Sequence, residues 1–331
     1  MKRRGDYRPL RLLLAAFALC AHAAVTGAFD LQGHRGARGL APENTMAAFR
    51  AALELGVTTL ETDLGVTRDG VLVLSHDPRL NPALVRDPGG RWITAPGPAI
   101  RALSLAELQR YDVGRIDPSS RYAQQFPGQR PADGERIPAL ADLFALVRNR
   151  RTAGGAAVRL NLETKITPTS GDEVIDPQSF VRLLLTVVQG ARLAGRVTVQ
   201  SFDWRTLVEV KRVAPDIATS CLTIESDGMN TVQAEPGAAS RWHAGLRLAD
   251  HGNSLPRLVK AAGCETWSPF WRNLTPALVD EAQAMGLKVL PWTVNEPADM
   301  ERLIDARVDG IITDYPDRLR GVLRGRGMPL P

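Results

Sequence analysis

The chain has 331 residues, of which 44% are hydrophobic and 23% charged, a composition typical of a globular protein with a sizeable core. Its formal net charge is +5, which would suit a nucleic-acid ligand if the charge lay on a folded surface. Residues 1–28 alone contain five basic side chains and one acidic side chain, so the remainder of the chain is close to neutral. We therefore expect no nucleic-acid partner.

The first 28 residues have the pattern of a secretory signal peptide. Basic residues precede an apolar run at positions 12–25, and Ala21-His22-Ala23 or residues 26–28 offer small-residue cleavage sites. The run is short for a membrane span, although an uncleaved anchor is the alternative. A lipoprotein at Cys20 is less compatible, because Leu19 precedes it where a small residue is expected. We expect a bacterial protein that is exported to the periplasm or the exterior, without stable membrane insertion after cleavage.

After this leader, strand patterns alternate with helical patterns. The candidate strands end near eight positions: His34, Asp63, Glu163, Ser201, Thr223, Pro269, Thr293 and Thr313. Helical patterns cover residues 46–56, 103–111, 139–150, 178–193, 277–286 and 298–308. Eight strands that are mostly followed by helices predict an α/β fold, a (β/α)8 TIM barrel, over residues 29–320. A proline-rich, irregular insertion at about 77–138 interrupts the alternation, a long loop is predicted at 226–252, and residues 321–331 read as a frayed tail.

One hairpin brings candidate catalytic residues together. Residues 59–67 form its first arm, Asp69-Gly70 is a tight-turn signal, and residues 71–75 return as VLVLS. Folding about Asp69 places residue 63 beside residue 75, so His76 returns to the level of Glu61 and Asp63. The two acids are two positions apart in a strand and share one face.

Acids and histidines therefore converge at the carboxyl ends of several strands, where (β/α)8 barrels carry their chemistry. Glu61, Asp63 and Glu163 offer the hard oxygen ligands that Ca²⁺ or Mg²⁺ prefers, and we predict one such ion there. His34 and His76 have side chains that titrate near neutrality and suit proton transfer to and from a phosphodiester. Solvated acids or a structural histidine are the simpler alternatives, but five converging groups favour a site.

Seven motifs extend this pattern from residue 31 to about residue 320: HRG, PENT, LETDLGVTRDGVLVLSHDP, LETK, VQSFD, PWTVN and DGIITDYP. With them the chain resembles the glycerophosphodiester phosphodiesterase family, in its exported bacterial form. The resemblance implies a metal-dependent barrel enzyme that converts glycerophosphodiesters to glycerol 3-phosphate and an alcohol. It also implies that His34 and His76 are the acid–base pair, that the substrate's own 2-hydroxyl attacks phosphorus, and that the insertion shapes the pocket.

Further residues are predicted to contact the substrate. Arg35 offers a planar fork for phosphate oxygens, with a salt bridge to Glu43 as its alternative role. Lys165 lies two residues after Glu163 and can enter the same mouth. Candidate lining residues from later strands are Gln200, Phe202 and Trp292, with Trp292 as an apolar wall for the glycerol carbons. Glu43 and Asn44 are expected to support the first loop and a helix cap, Asp314 to brace the barrel mouth, and His243 and His251 to be structural or exposed.

Two other functions remain to be compared. A phospholipase D-type diesterase acting on intact lyso- or sphingolipid would use the same barrel with an exposed apolar rim on the insertion. A non-catalytic binding protein would be expected to have lost a histidine or a ligand acid, and none is missing. The mature chain would keep Cys221 and Cys264, which could form one disulfide; two buried free thiols are the expectation here. Head group, metal identity and oligomeric state are not determined by the sequence.

Overall fold

The computed structural model describes residues 29–233 and 237–331, so the predicted signal peptide lies outside the described residues. The strands are β1 (Asp30–Gly33), β2 (Thr59–Val66), β3 (Leu72–Leu74), β4 (Arg159–Thr164), β5 (Val197–Ser201), β6 (Ala218–Thr223), β7 (Thr266–Pro269), β8 (Lys288–Val289) and β9 (Gly310–Thr313). The helices are α1 (Met46–Leu55), α2 (Leu105–Leu108), α3 (Leu140–Val147), α4 (Pro177–Gly190), α5 (Trp204–Val213), α6 (Leu255–Ala261), α7 (Pro276–Ala284), α8 (Pro297–Asp305) and α9 (Pro316–Gly325).

Eight parallel strands form a nearly closed barrel. Their order is β8-β7-β6-β5-β4-β2-β1-β9, and β3 pairs antiparallel with β2 outside this path. Backbone hydrogen bonds join the two ends, from Asp309 N to Val289 O and from Ile312 N to Pro291 O, both at 3.0 Å. The predicted (β/α)8 barrel is confirmed, and the core lies between the strands and the surrounding helices.

The helices begin and end at the residue types that the sequence offers. Thr45 caps α1 by accepting a hydrogen bond from Ala48 N, and Gly56 ends the helix in the left-handed conformation. Proline stands in the first turn of α4, α7 and α8, where its missing N–H costs nothing. Helices α5, α6 and α9 were not among the six predicted helical segments.

The β2–β3 hairpin has the predicted register. Leu64 is paired with Leu74, and Ser75 N donates to Asp63 O at 3.0 Å. His76 therefore follows directly after the position opposite Asp63, which brings a loop histidine to the barrel mouth.

The insertion is irregular but has a small core of its own. Its regular helix is the short α2, which begins with a capping box formed by Ser104 and Glu107. A second hydrophobic cluster lies beneath it, separate from the barrel core: Val73, Leu80, Val85, Ile100, Leu108 and Ile137. Order in this segment comes from packing rather than from secondary structure.

Two details differ from the sequence-based expectations. Cys221 and Cys264 are not free thiols, because their sulfurs are bonded at 2.14 Å with the Cα atoms 6.1 Å apart; adjacent parallel strands bring them together. Helix α9 continues to Gly325, since the apolar side chains Val322 and Leu323 are buried against the core in what was expected to be a frayed tail. Within the described ranges, no helix combines the length and the apolar character that a membrane crossing requires.

Candidate active site

One pocket at the carboxyl ends of the strands collects most of the predicted site residues. Its lining consists of His34, Arg35, Arg38, Glu61, His76, Glu163, Lys165, Gln200, Phe202, Leu222, Trp292, Thr293 and Ile312. Nine of the ten predicted residues are in this lining, and the tenth, Asp63, is buried directly behind it. The position agrees with the general placement of active sites in (β/α)8 barrels.

The three predicted metal ligands form a buried acidic cluster. Asp63 and Glu163 are paired in register on neighbouring strands, and Glu61 lies two positions before Asp63 on the same strand face. One carboxylate oxygen from each residue lies within 4.8 Å of the others. The parallel pairing of β2 and β4 thus creates the cluster, because it holds the carboxyl ends of both strands at one level.

This crowding has electrostatic consequences. Burial first, and then repulsion from Asp63 and Glu163, raises the pKa of Glu61 well above its usual value. Burial likewise raises the pKa of Glu163 to about 7, although Lys165 opposes the change. Burial also tends to raise the pKa of Asp63. The positive charges of Arg35, His76 and Lys165 outweigh this tendency, so the pKa of Asp63 lies below its usual value. Three carboxylates without enough positive charge form a set that a divalent cation would stabilise.

An unpaired oxygen indicates where such a cation would fit. Oδ1 of Asp63 is buried and has no hydrogen-bond partner among the described residues; the ammonium of Lys165 lies 3.6 Å away. The other oxygen, Oδ2, is held by Asn44 at 3.0 Å and by Arg35 at 3.1 Å. A buried carboxylate oxygen without a partner is costly, so the residues present fit a metal centre that uses Oδ1.

His34 is held by a carboxylate from the last strand of the barrel. Its Nδ1 lies 2.6 Å from Oδ1 of Asp314, which also accepts from Nε of Arg38 at 2.6 Å. Burial first, and then the charge of Arg38, lowers the pKa of His34 to about 4. The carboxylate fixes the proton on Nδ1, so the neutral ring presents the lone pair of Nε2 to the pocket. Asp314 therefore braces the mouth by orienting this histidine.

His76 is held in a parallel way by its own neighbour. Its Nδ1 lies 2.8 Å from Oδ1 of Asp77, whose Oδ2 accepts from Asn81 at 2.8 Å. Burial, followed by Arg35 and Lys165, lowers its pKa, while Asp63 and Asp77 favour the protonated form. The side chain is 33% exposed, compared with 11% for His34. One histidine is thus enclosed and the other stands at an opening.

The two predicted phosphate-binding cations are both tied to acids. Arg35 contacts Glu43 at 2.7 Å as well as Asp63, so the salt bridge considered as its alternative role is present. Lys165 contacts Oε1 of Glu163 at 2.8 Å. Both side chains line the pocket, and the acids hold them there as positive groups.

The backbone conformation of the first loop helps to hold the carboxylates of Glu61 and Asp63 in place. Arg35 (φ 49°) and Asn44 (φ 54°) adopt the left-handed region, which disfavours residues with a Cβ atom. The backbone N–H of Arg35 donates to Oε2 of Glu61 at 2.8 Å, and both side chains contact Asp63. No other residue type fits at position 36 in place of Gly36, because a Cβ atom there would lie 2.8 Å from Ala48 in the packed α1. Asn44 supports the carboxylate cluster through Asp63, while Thr45 is the helix cap.

Gln200 and Phe202 are both in the lining of the pocket, but they have different contacts. Gln200 donates to Oε1 of Glu61 at 2.8 Å and accepts from Asn161 at 2.8 Å, so it positions a carboxylate. Phe202 and Trp292 form an aromatic wall with ring centroids 5.2 Å apart. Trp292 is anchored through its indole N–H to Ser268 O at 2.9 Å.

Arg38 and Tyr122 belong to the site but were missed by sequence reasoning. Arg38 lines the pocket and is bound to Asp314. Tyr122, from the insertion, donates to Glu43 and accepts from Nη1 of Arg38 at 3.3 Å. Arg38, the second arginine of the HRGARG segment, could have been predicted from its spacing from His34. Nothing in the local sequence indicates a role for Tyr122.

A barrel mouth with a carboxylate cluster, two oriented histidines and two cations defines a class of (β/α)8-barrel hydrolases that process phosphate esters. Residues 34–318 match the model of the "Glycerophosphoryl diester phosphodiesterase family", and the chain belongs to this family. It is accordingly an enzyme, a phosphoric diester hydrolase of the glycerophosphodiester type.

Related proteins support this assignment along the whole barrel. A glycerophosphodiester phosphodiesterase of Caldanaerobacter subterraneus subsp. tengcongensis is 30% identical over 294 residues, which cover 89% of this chain and 97% of the relative. The human protein named lysophospholipase D GDPD1 is 27% identical, with 88% and 84% covered.

Solved structures agree with the fold. A putative glycerophosphoryl diester phosphodiesterase from Silicibacter pomeroyi is 36% identical with a TM-score of 0.79, covering 92% of this chain and 96% of its own. An Oleispira antarctica phosphodiesterase, solved with the product sn-glycerol-3-phosphate, has a TM-score of 0.62 at 21% identity, with 88% and 96% covered.

Proposed function

We propose that the protein hydrolyses glycerophosphodiesters to glycerol 3-phosphate and an alcohol, using a divalent cation, Ca²⁺ or Mg²⁺, and a pair of histidines. The observation that carries the proposal is the convergence of the carboxylate cluster with His34 and His76 in one pocket. The product found in the Oleispira antarctica phosphodiesterase supports glycerol 3-phosphate as the common part of the substrate.

The cation would be held by Glu61, Asp63 and Glu163. Bound there, it would offset the negative charge that builds on the phosphate oxygens. Arg35 and Lys165 lie against the same carboxylates, so a phosphate oriented by them would also lie next to this centre. Asn44 and Gln200 keep two of the carboxylates in place through hydrogen bonds to Asp63 and Glu61.

The histidines would carry the protons. The glycerol 2-hydroxyl attacks phosphorus and its proton passes to Nε2 of His34, whose other nitrogen is fixed by Asp314. The bond from phosphorus to the leaving oxygen breaks, and His76 protonates that oxygen. Water then opens the cyclic phosphate: it gives its proton to His76, and the 2-oxygen recovers one from His34.

We also propose that the protein is exported. The predicted signal peptide motivates this, and the Cys221–Cys264 disulfide supports it, because disulfides persist in oxidising compartments such as the periplasm.

The test is release of glycerol 3-phosphate from glycerophosphocholine by the protein, with Ca²⁺ or Mg²⁺ and with a chelator. We expect activity that requires the metal and falls by about 10² to 10⁴ in His34→Ala and in His76→Ala, the range of general acid–base contributions. His251→Ala, outside the pocket, is the control. Metal-loaded, folded protein that hydrolyses no glycerophosphodiester would refute the proposal.

A second candidate, a diesterase for intact lysolipid, is suggested by the human relative named lysophospholipase D. An apolar rim at the mouth would favour it. Among the described residues, however, the large hydrophobic side chains that are exposed are Val208 and Val213 on α5, away from the insertion. We therefore expect turnover of lysophosphatidylcholine to be much slower than that of glycerophosphocholine, and the reverse order would establish the lipid activity.

A further inference from the structure

A second cavity lies beside the catalytic pocket, between the first loop and the insertion. Its apolar walls come from β3 and the insertion, and its rim carries charged and amide side chains. The apolar residues are Pro42, Leu74, Leu80, Leu84, Val85, Val113, Ile116 and Ile137. His76 is the one described residue that lines both cavities.

A phosphodiester needs two such spaces, because its phosphorus carries two alcohol arms. With the phosphate at Arg35 and Lys165, the aromatic wall of Phe202 and Trp292 covers one side of the catalytic pocket. The other side opens past His76, the histidine assigned to protonate the departing oxygen. The alcohol that leaves with this oxygen would thus enter the second cavity.

The polar groups around this cavity are already engaged. Asp77 is bonded to His76 and to Asn81, and Glu43 to Arg35 and Tyr122. The remaining polar side chains of the rim likewise have partners: Asn44 with Asp63, Ser75 with the carbonyl of Asp77, Arg79 with Glu173, and Arg115 with Asp133. A bound alcohol therefore meets apolar walls and few free hydrogen-bonding groups.

We infer that this cavity is the leaving-group subsite and that it selects head groups with a methylated or alkyl surface over polyols and primary ammonium groups. A trimethylammonium group has no N–H to satisfy and presents methyl groups to the walls. The ammonium of ethanolamine has three N–H donors, and the hydroxyls of glycerol or inositol need partners that are already occupied, which makes their burial unfavourable. The two carboxylates and two guanidinium groups at the rim balance in charge, so the shape and the hydration of the head group decide which substrate is preferred.

This inference rests on the proposed function, since it uses the same reaction. The experiment measures kcat/KM of the metal-loaded enzyme for glycerophosphocholine, glycerophosphoethanolamine and glycerophosphoglycerol. We expect glycerophosphocholine to be preferred by about tenfold or more, the usual discrimination of an apolar pocket. Ile116→Asn and Leu84→Asn place an amide in the wall of the cavity. In these variants the ratio of kcat/KM for glycerophosphocholine to kcat/KM for the other two diesters should fall towards one. Ile93→Asn, a half-buried position of the insertion outside the cavity, should keep the wild-type ratio.

The outcomes separate the two proposals. Equal kcat/KM values for the three substrates, or variants in the cavity wall that are folded by circular dichroism and keep the wild-type ratio, would overturn the subsite while leaving the activity intact. Hydrolysis of glycerol 1,2-cyclic phosphate, which has no leaving alcohol, would still report the proposed chemistry. If neither the diesters nor the cyclic phosphate were hydrolysed, the proposed function itself would fail.

Discussion

The two halves of the barrel mouth are built in different ways. On one half, the ends of β1, β2, β4 and β9 present titratable side chains that are bound to each other, as in the contacts of His34 with Asp314 and of Lys165 with Glu163. On the other half, Phe202 and Phe270 follow directly after β5 and β7, and Trp292 lies three residues after β8. The ring centroid of Trp292 lies 5.2 Å from that of Phe202 and 5.8 Å from that of Phe270.

The two halves therefore have different tasks: the charged half carries the chemistry, and the aromatic half gives the pocket its shape. The charged half holds a cluster in which Oδ1 of Asp63 has no hydrogen-bond partner among the described residues, so the electrostatic energy of the cluster depends on what binds. The aromatic half is complete without a ligand, because its contacts are between its own side chains. We expect substitutions in the charged half to change the reaction rate, and substitutions in the aromatic half to change binding or stability.

The largest effect should come from Asp63→Asn, which keeps the shape of the side chain and removes one charge of the cluster. We expect kcat/KM to fall by about a hundredfold or more, comparable to the loss of a major electrostatic contact in an active site. The rise in melting temperature on adding Ca²⁺, which follows from binding to the folded state, should be lost as well. Asp172→Asn, an exposed acid in a loop, is the control. A variant with wild-type activity and wild-type calcium stabilisation would show that the charged half does not hold a metal.

A smaller effect is expected from Trp292→Leu in the aromatic wall. The substitution removes apolar contact area from the bound substrate in its ground state and its transition state alike, so KM should rise by about tenfold with kcat nearly unchanged. Trp271→Leu, a half-buried tryptophan outside the pocket, should leave both parameters unaltered. A fall in kcat with constant KM would instead place Trp292 in the chemical step and remove the contrast between the two halves.

The last effect is on stability and not on activity, and it concerns His243 behind the aromatic half. Its ring stacks on Trp204 at 4.3 Å, and neither ring nitrogen has a hydrogen-bond partner among the described residues. Burial lowers its pKa to about 4 from a usual value near 6.5. The unfolded chain therefore binds more protons between these values, and folding stability is lost as the pH falls from about 6.5 to 4, by up to about 3 kcal/mol.

His243→Leu should remove this part of the acid destabilisation. Denaturant unfolding at pH 7 and at pH 4.5 measures it, with His251→Leu as the control for replacing a histidine outside the hydrophobic core. Equal pH dependence in His243→Leu and wild type would mean that the histidine is hydrated or paired in solution.

Much of the charged half could be predicted from the sequence because its residues are close along the chain or fall at strand ends. The hairpin about Asp69 is local, so the return of His76 to the level of Asp63 follows from counting residues. Glu163 could be added because parallel strands of a barrel end on one face.

The contacts that tune these groups could not be predicted in the same way. Tyr122 reaches Glu43 from 79 positions away, out of an insertion with almost no periodicity. Gln200 was predicted to contact the substrate, but its hydrogen bond to Glu61 was not predicted, because it depends on a barrel interior that brings several strands within reach of one carboxylate. The disulfide was missed for a similar reason, since the distance between Cys221 and Cys264 depends on the pairing of β6 with the segment that leads into β7.

The sequence by itself determined the alternation of strands and helices, the hairpin register and the identity of the groups that carry charge. These depend on local geometry and on residue chemistry, which a linear pattern contains. Only the tertiary structure decided which carboxylate oxygen lacks a partner, which nitrogen of His34 faces the pocket, and that His76 separates two cavities. Those properties arise from packing between segments far apart in the chain, where displacements of an ångström decide whether a polar group is paired or free.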